Sequence, residues 1–487
     1  MKNKRRSFLK KSAILGTGFF IVPRNVLGGT GFISPSDQLN IAAIGCGGKG
    51  YDITHDWASK ERVIALCDVH SDGSHGVTNS RKKYPNANFY VDYREMLDKE
   101  TDLDAVTIST PDHTHGVIAS NAMKRGLHVY VQKPLTHNIE EARILTKIAA
   151  KNKVVTQMGN QGGSSKGVVK IQEWVDKKMI GKIHKIYAWT NRPVWPQGFD
   201  MIDNDEEKPP NLNWDLWLGP AESTKYTSQL HPFNWRGWWD YGTGALGDMG
   251  CHILDAPYKT LGLSYPTDVE CSVGSIFQQA WSQNYVPKGC PASSIVTLHF
   301  DQTVKNDSKI EMVWMDGGLR PSHPEFIPAD DFLGEKNSTN GVLMIGEKGV
   351  ISCGVYALNP KLYLKGQKTV EFSTDNQVDS LDHIHHMEWI NGIKAGYGSN
   401  EYKKITAPFE YSGPFTETVL MGNLAIRSYM SMGNSKPEYY ANKYSMSEYD
   451  KFVGRKKLLW DGENMKITNF EEANNFVGRV RRKGWEL

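Results

Sequence analysis

The sequence predicts a doubly wound parallel α/β domain near its N-terminal end, followed by a second domain that contains a sheet. Two observations carry the first part. Residues 39–68 join an apolar run, a glycine turn, a helical stretch and a second apolar run ending in a carboxylate. Beyond Asp68, strand-like and helix-like segments alternate as far as residue 158, the pattern of parallel strands joined by crossover helices. For the second part, Lys185 to Asn191, Ser294 to Phe300, Ile310 to Trp314 and Gly341 to Ile345 show alternating or β-branched patterns.

Taken in order, the chain opens on Lys4-Arg5-Arg6-Ser7-Phe8-Leu9-Lys10, then the uncharged stretch Ser12 to Val22, then Pro23. Residues 1–30 therefore read as a twin-arginine export signal, which predicts a periplasmic protein. The apolar part is eleven residues long, whereas spanning a bilayer core takes about 20, so no stable membrane insertion is expected. The first 29 residues hold seven Lys/Arg and no acid, so the formal charge of +3 becomes about −4 without them. That balance gives no support for nucleic-acid binding. Six cysteines, at 46, 67, 251, 271, 290 and 353, form no CxxC and no metal spacing; Cys46 and Cys67 read as small buried hydrophobes.

Leu39 to Ile44 reads as a buried strand. Gly45, Gly47 and Gly50 then form G-x-G-x-x-G at the strand-to-helix turn, with Gly48 inside it. There the backbone must approach a pyrophosphate and the helix N-terminus faces its charge. A second run, Val63 to Cys67, ends in Asp68, eighteen residues past the last glycine, where a carboxylate reaches both ribose hydroxyls. A 2′-phosphate about 4 Å from Asp68 would cost roughly 4 kcal/mol at an effective dielectric near 20. Val69, His70 and Ser71 offer no arginine or lysine to reverse this, so the expected cofactor is NAD rather than NADP.

The alternation continues with a strand at Asp104 to Ser109, a helix at Thr114 to Arg125, a strand at Leu127 to Val131, a helix at Asn138 to Asn152 and a strand at Lys153 to Met158. Ligand loops belong at the strands' C-terminal ends. Three loops stand there: Thr110 to His115, Gln132-Lys133-Pro134 and Gly159-Asn160-Gln161.

On AAIGCGGKG at 42–50, DYREML at 92–97, TP…H…A…GLHVYVQKPL at 110–135 and GTGALGDMGCHILD at 242–255, the chain resembles the glucose-fructose oxidoreductase, inositol dehydrogenase and rhizopine-catabolism (Gfo/Idh/MocA) family, in its exported subgroup. The resemblance covers nearly everything after the signal. It implies a Rossmann domain over 38–160 and an α+β substrate and oligomerisation domain over 161–450, built on a large, open, mostly antiparallel sheet. The closing segment 451–487 looks like the tail of exported members and is expected to pack back on the body. A homo-oligomer through the open sheet is implied as well.

Two constellations can carry chemistry. Lys133 matches the lysine of the family's EKP motif, and its ammonium favours a developing alkoxide; Gln132 replaces the usual Glu, removing a negative charge beside it. Asp248 and His252, at i and i+4 of one helix, match the family's D-x-x-x-H pair and share a helix face. His252 is the expected general base, since an imidazole near its ordinary pKa of about 6.5 can take a hydroxyl proton. Asp248 either binds a neighbouring hydroxyl or orients the imidazole. Thr110, Pro111 and Gln132 are expected at the cofactor. His115 either lines the nicotinamide end or is a helix N-terminal residue with no substrate role. Asn160, Arg192 and Trp195 are expected at the substrate, Trp195 because an indole face suits a pyranose ring; Arg236 is a weaker candidate. His383, His385 and His386 lack a third ligand of clear spacing, so no metal is expected. Residues 196–212 look like a long surface loop.

These readings converge on an exported NAD-dependent oxidoreductase acting on a secondary hydroxyl of a sugar or glycoside. An NAD-dependent glycosidase, in which transient oxidation, elimination and reduction regenerate NAD, fits the same residues. A non-catalytic sugar-binding or sensor protein is the third reading, and intact Lys133, Asp248 and His252 argue against it.

Overall fold

Short apolar strands, each followed by a helix, build the first sheet. The computed structural model describes residues 37–57, 60–72, 76–199, 201, 206–280, 282–283, 285–433 and 452–487; the expected export signal lies outside them. Strands β1 (Asn40–Ile44), β2 (Arg62–Cys67), β3 (Asn88–Tyr90), β4 (Ala105–Ile108), β5 (His128–Gln132) and β6 (Thr156–Gly159) form a parallel sheet in the order β3-β2-β1-β4-β5-β6. Ile41, Ala42, Val106 and Val129 are fully buried, as strands covered by helices on both faces require. The order reverses between β1 and β4, so the cleft opens at their C-terminal ends. Asn138 starts no helix of its own accord but caps the helix Ile139–Asn152, its side chain accepting the Glu141 N–H at 3.0 Å.

The second domain holds β7 (Ile183–Trp189), β8 (Asp268–Val273), a short hairpin β9 (Phe277–Gln279) and β10 (Ser282–Gln283), β11 (Ser294–Phe300), β12 (Ile310–Met315), β13 (Gly341–Gly346), β14 (Gly349–Cys353), β15 (Lys361–Leu364), β16 (Val370–Glu371), β17 (Leu458–Asp461) and β18 (Lys466–Ile467). Apart from the hairpin these make one ten-stranded sheet, β16-β15-β14-β13-β7-β12-β11-β8-β17-β18. Only β7 and β12 run parallel; the other neighbours in it are antiparallel. The closing segment is thus partly a sheet edge: Leu458 pairs with Val269.

The helix Phe409–Tyr429 ties the two sheets together. It packs on the helix Ile139–Asn152 on one side and on β8 and β11 on the other. Phe409 and Phe415 are fully buried in one apolar cluster that also holds Val106, Val129, Val296 and Leu298. Each such ring contributes roughly 1.5–3 kcal/mol of burial. The two walls of the cleft are therefore held at a fixed spacing. No described helix is long and apolar enough to cross a membrane.

Candidate active site

The glycine turn after β1 is shaped by contacts that exclude side chains. Gly45 has φ +74°, and a Cβ there would stand 2.8 Å from the Ser109 carbonyl. A Cβ on Gly50 would lie 1.8 Å from the Gly45 oxygen, so the helix Lys49–Trp57 can approach the turn only with glycine at that place. Asp68, just past β2, accepts the Gly47 N–H at 3.3 Å and the His70 N–H at 3.0 Å. Burial pushes its carboxyl up to about 6, against those two donors. Gly45, Gly47, Gly48, Lys49 and Asp68 all line a cavity of about 420 Å³, within the range of cofactor sites.

Thr110 and Pro111 line the same cavity from the β4 side. His115 does not. It is buried, with Nδ1 on the Pro134 carbonyl at 2.9 Å and Nε2 on the Thr110 carbonyl at 2.8 Å. Both ring nitrogens are used in tying the two loops together, so the expected contact with the nicotinamide is corrected to a scaffold role. Gln132 is likewise turned away. Its amide lies across Gly159, where a Cβ would meet it at 2.5 Å, and it is not among the cavity residues.

Lys133 and Asp248 meet. The Lys133 ammonium donates to the Asp248 backbone oxygen and to Oδ1, both at 2.7 Å, with each side chain 15% exposed. Arg236 Nε stands 3.6 Å from the same Oδ1. Burial works against ionising Asp248, but Lys133 and Arg236 prevail and hold its carboxyl below the usual range. The helix Gly244–Ile253 carries Asp248 and His252 on one face. Its Gly247 packs so closely on Thr243 that a Cβ would come within 2.0 Å of Oγ1. Thr243 in turn donates to Asp112 Oδ2 at 2.7 Å, which pins this helix to the first domain.

His252 is buried, its ring packed edge-on against Tyr356 at 4.8 Å. Burial, reinforced by Lys133, lowers its pKa well below 6.5. This corrects the expectation of an imidazole near its ordinary value: the ring is neutral throughout the physiological range. Its Nδ1 has no hydrogen-bond partner among the described residues. Nor does a hydrogen bond join it to Asp248, whose carboxylate is committed to Lys133. Orientation of the imidazole by Asp248 is therefore not what the structure shows.

Asn160 is fully buried beside Asp255, which also accepts the Tyr411 hydroxyl at 2.5 Å. Its amide makes no well-formed hydrogen bond. Arg192, beyond the end of β7, acts through its charge on the Tyr356 phenol, which burial pushes up to about 12. Trp195 is 6% exposed and donates to Gln197 Oε1 at 2.8 Å, while Arg236 lies 5.9 Å from its ring centre. Trp195 thus backs Arg236 rather than offering a free face to a sugar. The three clustered histidines serve the scaffold: His383 and His386 reach Asp56 at 2.9 and 2.6 Å, and His385 reaches the Met158 carbonyl at 2.8 Å.

Sequence reading missed two residues and underrated a third. Tyr356 sits in left-handed backbone, φ 61° and ψ 22°, as does Ala357 at φ 56°. Gly162 makes room for it, since a Cβ there would be 2.9 Å from Tyr356 Cα. Asp112 is buried, which raises its pKa against the Thr243 hydrogen bond and the charges of Arg236 and Lys133. Tyr356 falls outside any motif, and Asp112 stands within the Thr110–His115 loop at a place the motif does not single out. Arg236, stacked on Trp235 at 4.2 Å and Phe233 at 4.4 Å, lines the cavity and touches Asp248. It links the nucleotide cleft to the charged pair.

Residues 39–160 match the family described as "Oxidoreductase family, NAD-binding Rossmann fold", and residues 166–282 match its "C-terminal alpha/beta domain". The chain belongs to the Gfo/Idh/MocA oxidoreductase family. A glycosyl hydrolase family 109 protein of Solibacter usitatus is 31% identical over 153 residues, 29% of this chain and 35% of that one. A levoglucosan dehydrogenase of Pseudarthrobacter phenanthrenivorans is 24% identical over 181 residues, 37% of this chain and 38% of that one. The chain spans about a third to a half of the length of such curated relatives. The WlbA dehydrogenase of Chromobactrium violaceum, solved with NADH and UDP-GlcNAcA, shares the fold at TM-score 0.53 and 15% identity over 80% of this chain and 94% of that one. An inositol dehydrogenase homolog of Azotobacter vinelandii, solved with NADH and myo-inositol, does so at 0.52 and 15% over 80% and 95%. In this NAD-binding Rossmann domain, the glycines that exclude a Cβ and the inward carboxylate of Asp68 fit a dinucleotide.

Proposed function

We propose that the protein is an exported, NAD-dependent oxidoreductase acting on a secondary hydroxyl of a sugar or glycoside. The observation that carries the reading is the buried Lys133–Asp248 pair one helical turn from a neutral His252, joined to the nucleotide cavity by Arg236. NAD supplies the hydride acceptor and donor. Lys133 binds the reacting oxygen and stabilises negative charge on it. His252 takes the hydroxyl proton through Nε2, since its Nδ1 is buried; being neutral, it needs no deprotonation first. Asp248 holds Lys133 in place until substrate hydroxyls compete for it. Arg192 and Tyr356, both partly exposed, supply contacts to the remaining sugar oxygens; Asn160 is fully buried.

A second reading, an NAD-dependent glycosidase with NAD regenerated, is supported by the similarity to glycosyl hydrolase family 109 proteins. Mass spectrometry of products from p-nitrophenyl glycosides, with and without an added acceptor sugar, separates the two. Oxidised sugar appearing with reduced nicotinamide establishes the oxidoreductase. Released nitrophenol without net nicotinamide reduction establishes the glycosidase, and neither product defeats both. Replacing Arg5 and Arg6 by lysine tests export, since periplasmic recovery of that double variant equal to the unaltered chain would remove the twin-arginine reading. Light scattering of the purified protein tests the proposed homo-oligomer through the ten-stranded sheet.

A further inference from the structure

The cavity has a cover. Residues 211–241 cross from the second domain over the nucleotide cleft and form a small apolar core of their own, including Leu212, Trp217 and Trp235. The cover is bonded to both rims. On the β2 side, Asn213 N–H donates to the Val69 carbonyl at 2.9 Å and Ser71 N–H to the Asn211 carbonyl at 3.0 Å, while His70 and His231 stack at 5.2 Å. On the β4 side, the His113 ring meets the Trp217 carbonyl at 2.8 Å. These attachments lie immediately beyond Asp68, the carboxylate placed for the adenosine ribose.

The last residues of the chain hold this cover down. Arg482 donates to the Gly219 carbonyl at 2.7 Å, to the Asp215 carbonyl at 2.7 Å and to Asp215 Oδ1 at 2.5 Å. Arg479 and Arg481 anchor the same segment to Glu141 and Glu140, at 3.1 and 3.0 Å, on the helix Ile139–Asn152. Three residues further on, Trp485 enters the cleft wall. It is 6% exposed, its ring 6.1 Å from Tyr93 and 4.6 Å from the Arg94 guanidinium, and it lines the cavity alongside Ile118 and Leu216. Tyr93 follows β3, the strand next to β2, so Trp485 stands on the adenosine half of the cleft.

We propose that the C-terminal segment 479–487 is part of the cofactor site: Trp485 walls the adenosine subsite, and Arg482 locks the cover above it, so that bound dinucleotide exchanges slowly. This inference rests on the NAD-dependent reading above. An indole offers an adenine the flat apolar face that base stacking uses. Release requires the cover to lift, which breaks its bonds to both rims together with the Arg482 contacts. A cofactor held in this way gives back within the same molecule the hydride it takes, whichever oxidisable substrate supplies it.

The test uses the full chain and three variants: W485A, W485F and R482A. Each is loaded with NADH, freed of excess by rapid gel filtration and mixed with excess ADP-ribose, and the change in nicotinamide fluorescence gives the release rate. W485A and R482A should each release NADH about tenfold faster than the unaltered protein, the scale of one lost base–aromatic stack. W485F, which keeps a ring, should stay close to the unaltered rate. An acceleration below about threefold in both W485A and R482A overturns the proposal while leaving the NAD-dependent reading intact. Failure of the unaltered protein to bind NADH overturns both. Thermal melts accompany each variant. If W485A does not fold, R482A alone decides by the same criterion.

Discussion

The two walls of the nucleotide cleft are made of different material. On the β1–β2 side the wall is mostly backbone: Gly45, Gly47 and Gly48 with the helix beginning at Lys49, closed by the carboxylate of Asp68. On the facing side it is made of side chains, Trp217, His231, Phe233, Trp235, Arg236 and Trp485. The first wall comes from about thirty consecutive residues, the second from positions more than 250 apart. A backbone wall constrains residue type locally, because only glycine tolerates the left-handed turn and the close approach. A side-chain wall is assembled by tertiary packing and leaves no spacing to recognise. The difference also separates tasks, since the first wall meets the phosphates and ribose, whereas the second carries Trp485 on the adenosine half and Arg236 toward the Lys133–Asp248 pair.

The largest effect should come from the reacting centre. His252→Ala is expected to lower turnover by about 10²–10⁴-fold, the scale of a positioned base, with nucleotide affinity nearly unchanged. Lys133→Met should lower turnover as well and weaken substrate binding. The two losses should be strongly non-additive, because both groups act on one proton and one hydride transfer. Single-turnover reduction of bound NAD, followed by nicotinamide absorbance, reads all three. Wild-type rates in both variants would show that chemistry happens elsewhere. The pH profile adds a sharper check. With His252 held well below 6.5 by burial, its proton uptake cannot set an acid limb at 6.5, so kcat/KM limited by a group titrating at His252's ordinary value would contradict the geometry.

A smaller effect distinguishes a glycine of the turn after β1 from one at a left-handed position outside the cavity wall. Gly50→Ala places a Cβ 1.8 Å from a carbonyl oxygen, and rigid backbone cannot yield, so an overpacking cost of about 1–3 kcal/mol and a matching loss of NAD affinity are expected. Gly126→Ala meets nothing within 4 Å but sits at φ +82°, so it should cost only about 1 kcal/mol of stability through strain and leave NAD affinity alone. Denaturant melts paired with calorimetric titration compare them. Equal NAD affinities would mean that the turn does not shape the phosphate site.

The same contrast explains what could be read in advance. The parallel sheet, its glycine turn and Asp68 were legible because each obeys a local rule. Lys133 and Asp248 were legible one by one through two family motifs, but their ion pair was not, nor was the pairing of strands far apart in the second sheet, since register there depends on contacts such as Val342 with Ala188. His115 misled because a histidine at a ligand loop resembles a ligand contact; only the structure shows both nitrogens spent on carbonyls. Trp195 misled similarly, its exposure being decided by Phe233 and Arg236 rather than by its own chemistry. Residues 196–212, expected as a surface loop, end at Asn211 and Leu212 in the first contacts of the cover. His252 was legible as a candidate base, but the lowering of its pKa is a property of burial.

The smallest expected effect on NAD binding itself concerns the titration of Asp68, and it bears on which wall controls the cofactor. Burial raises this carboxyl to about 6, so between its unfolded value near 3.8 and about 6 the folded protein binds more protons than the unfolded chain. Its contribution to stability without ligand therefore improves as pH falls from 6 to 4. Ribose hydroxyls donate more strongly to the ionised form, so NAD affinity should do the opposite, staying level above pH 6 and weakening below it by at most about tenfold per pH unit. Asp68→Asn should flatten both dependences. Asp68→Ala should in addition narrow the preference for NAD over NADP, by up to the roughly 4 kcal/mol that a 2′-phosphate about 4 Å from the charge would cost. Calorimetric titrations of both dinucleotides from pH 5 to 8 measure the affinities, and denaturant melts from pH 4 to 6 the stability. If NAD and NADP bind the unaltered protein equally well, discrimination does not rest on the Asp68 carboxylate, and the cover above it becomes the place to look.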